Sequence, residues 1–327
     1  MKHTNEELRQ WQALPLDVKI LMTKARIRGW VNEYGIDGVY ISYSGGKDST
    51  VLLDIVRQDY DSIPAVYIDT GLEYPELREY VKKQTNVTII KPKKNFKQVI
   101  EECGYPFISK EVSGKVYEAR MKEGGYAWKV LHGSKEGTPW DMQKYSWLID
   151  APFKIGNRCC NIMKKNPAKA YEKETGRCAI TAQMAEESRA RRTKWLQNGC
   201  NAFDQKRPMS NPMAFWTEQD VLQYIRTKGL EIAPVYGDVV EDNEIKGQMS
   251  LDGYIPKLKT TGCKRTGCIF CGYGCHSEKP GEGKFLRLKS THPKIYKYIM
   301  KPWDEGGLGY KEVIDWLNEN GDLHIEY

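Results

Sequence analysis

The stretch YISYSGGKDSTVLLDIVRQ, Tyr40 to Gln58, constrains the fold more than any other. A strand-like apolar run breaks into two glycines, a lysine and an aspartate. It resumes with Val51, Leu52, Ile55 and Val56 at helical spacing. Glycines let a backbone turn through positive φ and approach a ligand closely. A helix starting near Asp48 would aim its unbonded N–H groups and positive dipole end at that ligand, and Lys47 would add a cation. The pattern predicts a phosphate-type anion site. Asp48 would repel a bare anion, so a bridging magnesium ion is expected, a hard cation with oxygen ligands. The spacing is not that of the Walker loop, which has four residues between its glycines and then Lys-Ser/Thr.

The surrounding sequence alternates strands and helices. VYISY (Val39–Tyr43), AVYIDT (Ala65–Thr70), VTII (Val87–Ile90) and CAIT (Cys178–Thr181) read as buried strands. Val18 to Tyr34 carries helical periodicity that Gly35 should end, and PELREYVKKQ opens a helix with proline in its first turn. The expected fold is α/β: a parallel sheet with helices on both faces and a small cysteine-rich C-terminal region. In such sheets ligands bind beyond the carboxyl ends of the strands, where Ser44–Ser49 and Asp69–Gly71 fall. The expected divisions are a helical segment at 1–35, a nucleotide-binding domain at 36–235 with an insertion at about 105–153, and a cysteine-rich region at 236–327. Trp128, Trp140 and Trp147 fall in that insertion. GDVVEDNEIKGQMSLDGY reads as a loop or small hairpin, and Pro293–Met300 and Tyr310–Asn318 as terminal helices.

The N-terminus has no apolar core of signal-peptide type and no run reaches membrane-span length, so a cytoplasmic chain is expected. A formal net charge of +7 points to a polyanionic partner. Nine cysteines are unevenly placed: Cys159 and Cys160 are adjacent, and Cys263, Cys268, Cys271 and Cys275 follow a C-x4-C-x2-C-x3-C pattern. Such clustering favours metal over disulfides. The residues leave three readings open: a structural zinc on the four, with His276 as a substitute; an iron–sulfur cluster that borrows from the Cys159–Cys160 pair; or buried free thiols.

Ser44-Gly45-Gly46-Lys47-Asp48-Ser49 resembles the PP-loop of the ATP pyrophosphatases, in the adenine nucleotide α-hydrolase group. Tyr67–Val81, Arg158–Tyr171 and Met213–Asp238 resemble segments of that group's phosphoadenosine phosphosulfate (PAPS) reductase branch. The resemblance implies that the loop holds the pyrophosphate of ATP while a substrate attacks the α-phosphorus. Ser44, Gly45, Gly46, Lys47 and Ser49 would hold the pyrophosphate and Asp48 the Mg2+, with Lys47 and Asp48 as the catalytic pair. Asp69, Thr70 and Gly71 would line the nucleotide. One segment departs: the family's Gly-x-Arg…Glu-Ser-x-x-Arg run is Ala182-Gln183-Met184…Glu187-Ser188-x-x-Arg191 here. Ser188, Arg191 and their neighbours Arg189, Arg192 and Lys194 are still expected to bind phosphate.

True sulfonucleotide reductases use a cysteine in a C-terminal tail, whereas this chain ends ENGDLHIEY, and its loop keeps the lysine. Both points favour an ATP-consuming relative of the thiolases. Iron–sulfur members of the branch use an adjacent cysteine pair, which selects a [4Fe–4S] cluster on Cys160, Cys263, Cys268 and Cys271, with Cys159 and Cys275 in reserve and zinc as the alternative. The expected activity is an AMP- and pyrophosphate-forming sulfurtransferase acting on a nucleic acid, tRNA or DNA, with a sulfur donor such as a cysteine desulfurase. The alternatives are a sulfonucleotide reductase and a non-catalytic nucleotide-sensing or DNA-binding regulator with zinc. Lys284, Arg287, Lys289, Lys294 and Lys297 form a further basic run that could receive nucleic acid.

Overall fold

The computed structural model describes residues 1–133, 141–242 and 256–327. Trp140 and the centre of the expected hairpin, 243–255, lie outside them. The chain forms two compact units: 1–69, 73–91 and 167–266 make the first, and 70–72, 92–166 and 267–327 the second. No helix among the described residues is long and apolar enough to cross a membrane.

Ten strands are described: β1 Val39–Tyr43, β2 Ala65–Ile68, β3 Val87–Ile90, β4 Phe107–Ile108, β5 Cys178–Ile180, β6 Asn201–Ala202, β7 Met209–Ser210, β8 Val239–Glu241, β9 Leu258–Thr260 and β10 Gly272–Tyr273. In the first unit, six form a sheet in the order β3-β2-β1-β5-β7-β6. Every neighbouring pair is parallel except β6 with β7. The chain builds outward from β1 through β2 to β3, then returns to place β5 on the other side of β1. That reversal is a topological switch point, and the crevice beyond the carboxyl end of β1 is where an open α/β sheet binds its ligand. The glycine loop follows β1.

The four expected strands are present, β1 with the burial of a central strand. The long N-terminal helix runs Leu16–Tyr34, and Gly35 ends it at φ +75°. A shorter helix, Asn5–Gln12, precedes it, closed by a reciprocal cap between Thr4 and Glu7. The end of the expected hairpin is present as the antiparallel pair β8 and β9. Lys19 is 1% exposed and bonds both oxygens of Asp220 at 2.7 Å, tying the Leu16–Tyr34 helix to the Glu218–Lys228 helix.

The second unit is built around aromatic side chains. Tyr310, at the start of the Tyr310–Gly321 helix, is fully buried among Tyr105, Phe107 and Phe285, with ring centroids 5.3–5.8 Å away. Its hydroxyl donates to the Phe270 carbonyl at 2.6 Å. The insertion supplies the helices Lys110–Met121 and Tyr126–Leu131 and the short turn Gln143–Asp150. The Arg120 guanidinium fastens it by donating to the carbonyls of Leu148, Ile149, Ala151 and Phe153. Trp147 packs on Trp316 with centroids 5.5 Å apart, so this insertion tryptophan serves packing. β4 pairs parallel with β10, which sets the cysteine turn beside the insertion.

Candidate functional site

The phosphate-type loop is made by local sterics. Gly45 sits at φ +73°, and a Cβ there would come within 2.5 Å of Val81 and 2.8 Å of Leu77. Only glycine meets both demands. Gly46 then caps the helix Lys47–Asp59 without any side-chain acceptor, which leaves the helix N-terminus directed at the crevice. The serines brace the loop. Ser49 Oγ accepts from the Ser44 N–H at 3.2 Å and donates to the Gly46 carbonyl at 2.9 Å. Ser44 Oγ accepts from the Gly46 N–H at 3.3 Å.

Lys47 is 3% exposed. Its Nζ lies 3.3 Å from Glu218 Oε1 and 3.5 Å from Asp48 Oδ1, and donates to the Lys264 carbonyl at 3.3 Å. Its backbone N–H donates to Tyr236 Oη at 3.2 Å. Burial of a cation is tolerated because two carboxylates face it. Asp48 Oδ1 is itself buried with no hydrogen-bond partner among the described residues. An orphaned carboxylate oxygen beside a phosphate-type loop is a donor that a hard cation such as Mg2+ fits.

Ser188 caps the helix Arg189–Asn198 by accepting from the Arg191 N–H at 3.3 Å, so its hydroxyl is engaged in helix structure. Arg191 pairs with Glu187 and lies within electrostatic reach of Asp48; burial draws its pKa down, Asp48 supports its charge and Arg265 opposes it. Arg191 therefore joins Lys47 and Asp48 at the loop. Asp69, at the end of β2, is buried and pairs with Arg78 at 2.8 Å. Thr70 and Gly71 belong to the second unit; Thr70 Oγ1 accepts from the Leu72 N–H at 3.2 Å, and Gly71 has φ +74°.

Sequence reading missed Glu218, Tyr236 and Lys264–Thr266. A signal existed for the first: the Thr217–Asp220 cap accounts for its two members and leaves Glu218, between them, without a capping duty. Tyr236 and Lys264 carry none, because their partner lies about two hundred residues earlier in the chain.

In the second unit, Cys159, Cys160, Cys268 and Cys271 line one small cleft with Phe96 and Met163. The cleft's lining is mostly apolar side chains. A π-helical turn, Asn161–Lys165, follows Cys160; such turns are frequent at functional sites. Lys284 Nζ clasps the carbonyls of Cys268 and Cys271 at 2.7 and 2.8 Å. One lysine of the C-terminal basic run thus shapes the cysteine turn. A hydrogen bond from Cys159 lowers the Cys160 thiol to about 6, helped by Lys110, Lys164 and Lys165 and opposed by burial. The same bond, burial and the neighbouring sulfurs push Cys159 the other way. The pair therefore shares one proton at neutral pH.

Cys275 is 3% exposed, its thiol reaches the Cys271 carbonyl, and burial pushes it up to about 12. His276 Nδ1 is buried without a hydrogen-bond partner among the described residues, and burial lowers the ring's pKa. Cys263 belongs to the first unit, where its N–H donates to the Val235 carbonyl at 2.8 Å. All nine cysteines are free thiols. Among the described residues, no group of three or more His, Cys, Asp or Glu side chains stands ready to hold a metal ion. The four-thiol lining of the cleft is nonetheless the donor chemistry that soft metals and iron–sulfur clusters take.

An uncharacterized protein of Methanocaldococcus jannaschii is 24% identical over 268 residues, 78% of this chain and 45% of its own length. Sulfate adenylyltransferase subunit 2 of Hyphomonas neptunium is 25% identical over 203 residues, 59% of this chain and 54% of its own. The chain thus spans about half the length of these curated relatives. The crystal structure of PAPS reductase from Candida auris, a phosphate complex, matches at TM-score 0.39 and 15% identity, over 72% of this chain and 91% of that one. The profile of the phosphoadenosine phosphosulfate reductase domain matches residues 38–124 and 110–273. With that match spanning the glycine loop and the C-x2-C turn alike, the chain belongs to the phosphoadenosine phosphosulfate reductase domain family.

Proposed function

We propose that this chain is an ATP-dependent sulfurtransferase that forms AMP and pyrophosphate, activating an oxygen of a nucleic acid and replacing it with sulfur. The observation that carries the reading is the pairing, in one chain, of an intact phosphate-type loop with a four-thiol cleft. In the first step a substrate oxygen attacks the α-phosphorus of ATP, and pyrophosphate leaves with the electrons of the broken P–O bond. Lys47 and the helix N-terminus meet the charge that grows on the pyrophosphate, with Lys47 exchanging Glu218 and the Lys264 carbonyl for phosphate oxygens. Mg2+ held by Asp48 would neutralise further phosphate charge. In the second step a sulfur nucleophile, supplied by a donor such as a cysteine desulfurase, attacks the activated substrate, and AMP leaves with the original oxygen.

Cys159, Cys160, Cys268 and Cys271 would hold a [4Fe–4S] cluster, which supplies electron-transfer or sulfur-carrying chemistry when bound. This set exchanges Cys263 for Cys159, because Cys159 lines the cleft with the other three. The nucleic-acid partner is supported by the net charge of +7 and by Arg189, Arg192 and Lys194, which make no ion pair among the described residues. A relative named as a sulfate adenylyltransferase subunit supports nucleotide-activating chemistry. One observation favours a second reading, sulfonucleotide reduction: a thiol lowered to about 6 at Cys160 suits a nucleophile.

Pyrophosphate release from ATP and Mg2+, measured alone and with tRNA or DNA, tests the reading. The expected result is nucleic-acid-stimulated release that falls roughly 100-fold in Lys47→Ala. Sulfite formation from a sulfonucleotide without ATP would select the reductase reading instead.

A further inference from the structure

The residues just before the C-x2-C turn reach the phosphate-type loop within the first unit. Three backbone bonds zip the chain after β9 onto the segment before β8: Thr261 N–H to Asp238, Gly262 N–H to Tyr236 and Cys263 N–H to Val235, at 2.8–2.9 Å. Gly262 is required there, because a Cβ would stand 2.5 Å from the Val235 carbonyl oxygen. The zip lays Lys264–Thr266 over the loop. The Lys264 carbonyl takes the Lys47 ammonium, and Thr266 Oγ1 pairs with Tyr236 Oη at 2.9 Å while that hydroxyl holds the Lys47 N–H. A Cβ on Gly46 would meet Tyr236 Oη at 3.3 Å and Thr266 Oγ1 at 3.8 Å.

Arg265 is the exposed side chain in the middle of this strap. It comes close enough to Arg191 for their charges to oppose each other, and Arg191 in turn feels Asp48. The nearby carboxylates are engaged elsewhere, Glu187 with Arg191 and Glu218 with Lys47, while Arg265 makes no ion pair among the described residues. Two guanidinium groups brought together beside a cationic loop repel, and an anion with several charges relieves that repulsion. A pyrophosphate held by the loop leaves one more phosphate of a nucleoside triphosphate to be met.

We propose that Arg265 is a specificity-determining residue that binds the terminal phosphate of a nucleoside triphosphate seated on the loop, so that the site selects triphosphates over monophosphates. This rests on the ATP reading above. It also assigns the strap a second state, in which the Lys264 carbonyl and the Tyr236 hydroxyl give up Lys47 to the polyphosphate.

The test is equilibrium binding of a non-hydrolysable ATP analogue and of AMP, each with Mg2+, to the full chain and to Arg265→Ala and Arg265→Lys. The expected result is a loss of about tenfold or more for the analogue in Arg265→Ala, the scale of one charge-assisted hydrogen bond. AMP binding should change less than about twofold, and Arg265→Lys should recover part of the loss. An unchanged analogue affinity, or equal losses for analogue and AMP, would overturn the proposal while leaving the ATP reading intact. A wild-type chain that binds neither would overturn both.

Discussion

Lys47 shows how much one residue's surroundings decide. Alone in the sequence it is a cation after two glycines; in the fold it is a buried ammonium shared by Glu218, Asp48 and the Lys264 carbonyl. Gly45 gives the sharpest prediction at this scale. Gly45→Ala would combine a positive φ with a collision against Leu77 and Val81. The expected cost is about 2 kcal/mol or more, read as a lowered urea midpoint with an unchanged m-value. A midpoint equal to wild type would show that the loop relaxes freely. The loop itself was legible because its chemistry is contiguous: strand, glycines, lysine and helix within about twenty residues. Glu218, Tyr236 and Arg265 were not, because they reach the loop only after the sheet and the β8–β9 pair have folded, and no local pattern records a partner so far away.

Elements were legible where burial imposes a period. β1, β2, β3 and β5 come from apolar runs, and the Leu16–Tyr34 helix from its repeating face and terminal glycine. The Asn5–Gln12 helix went unread although Thr4 and Glu7 carry a capping signature, since its apolar face is short. β6 and β7 have two residues each, too few to show any alternation. Between elements, the Lys19–Asp220 pair fixes one helix against another. Lys19→Met, which strands a buried carboxylate, is expected to cost about 3–5 kcal/mol in denaturant unfolding. Adding Asp220→Asn should recover much of that, because asparagine keeps an acceptor for the Thr217 cap while removing the uncompensated charge. A single-variant loss below about 1 kcal/mol would mean the pair is solvated.

At the scale of the whole molecule, the division of the cysteines could not be read from spacing. The four between Cys263 and Cys275 look like one group in the sequence. The fold gives Cys263 to one unit and Cys268, Cys271 and Cys275 to the other, where β10 and the Lys284 clasp set the turn and Cys159–Cys160 arrives from the insertion side. Cys275 turns into the core, which its position three residues beyond the C-x2-C pair did not reveal. The family's nucleotide loop and the thiol cleft, each set out by its own unit, are the two halves of the proposed chemistry.

The most direct test of that chemistry is the visible absorption of anaerobically purified protein, with iron, sulfide and zinc measured per chain. The account predicts a brown protein with about four iron and four sulfide per chain, both lost in Cys159→Ala and Cys268→Ala and retained in Cys275→Ala. A colourless protein with one zinc per chain would contradict it and make the cysteine region a structural module.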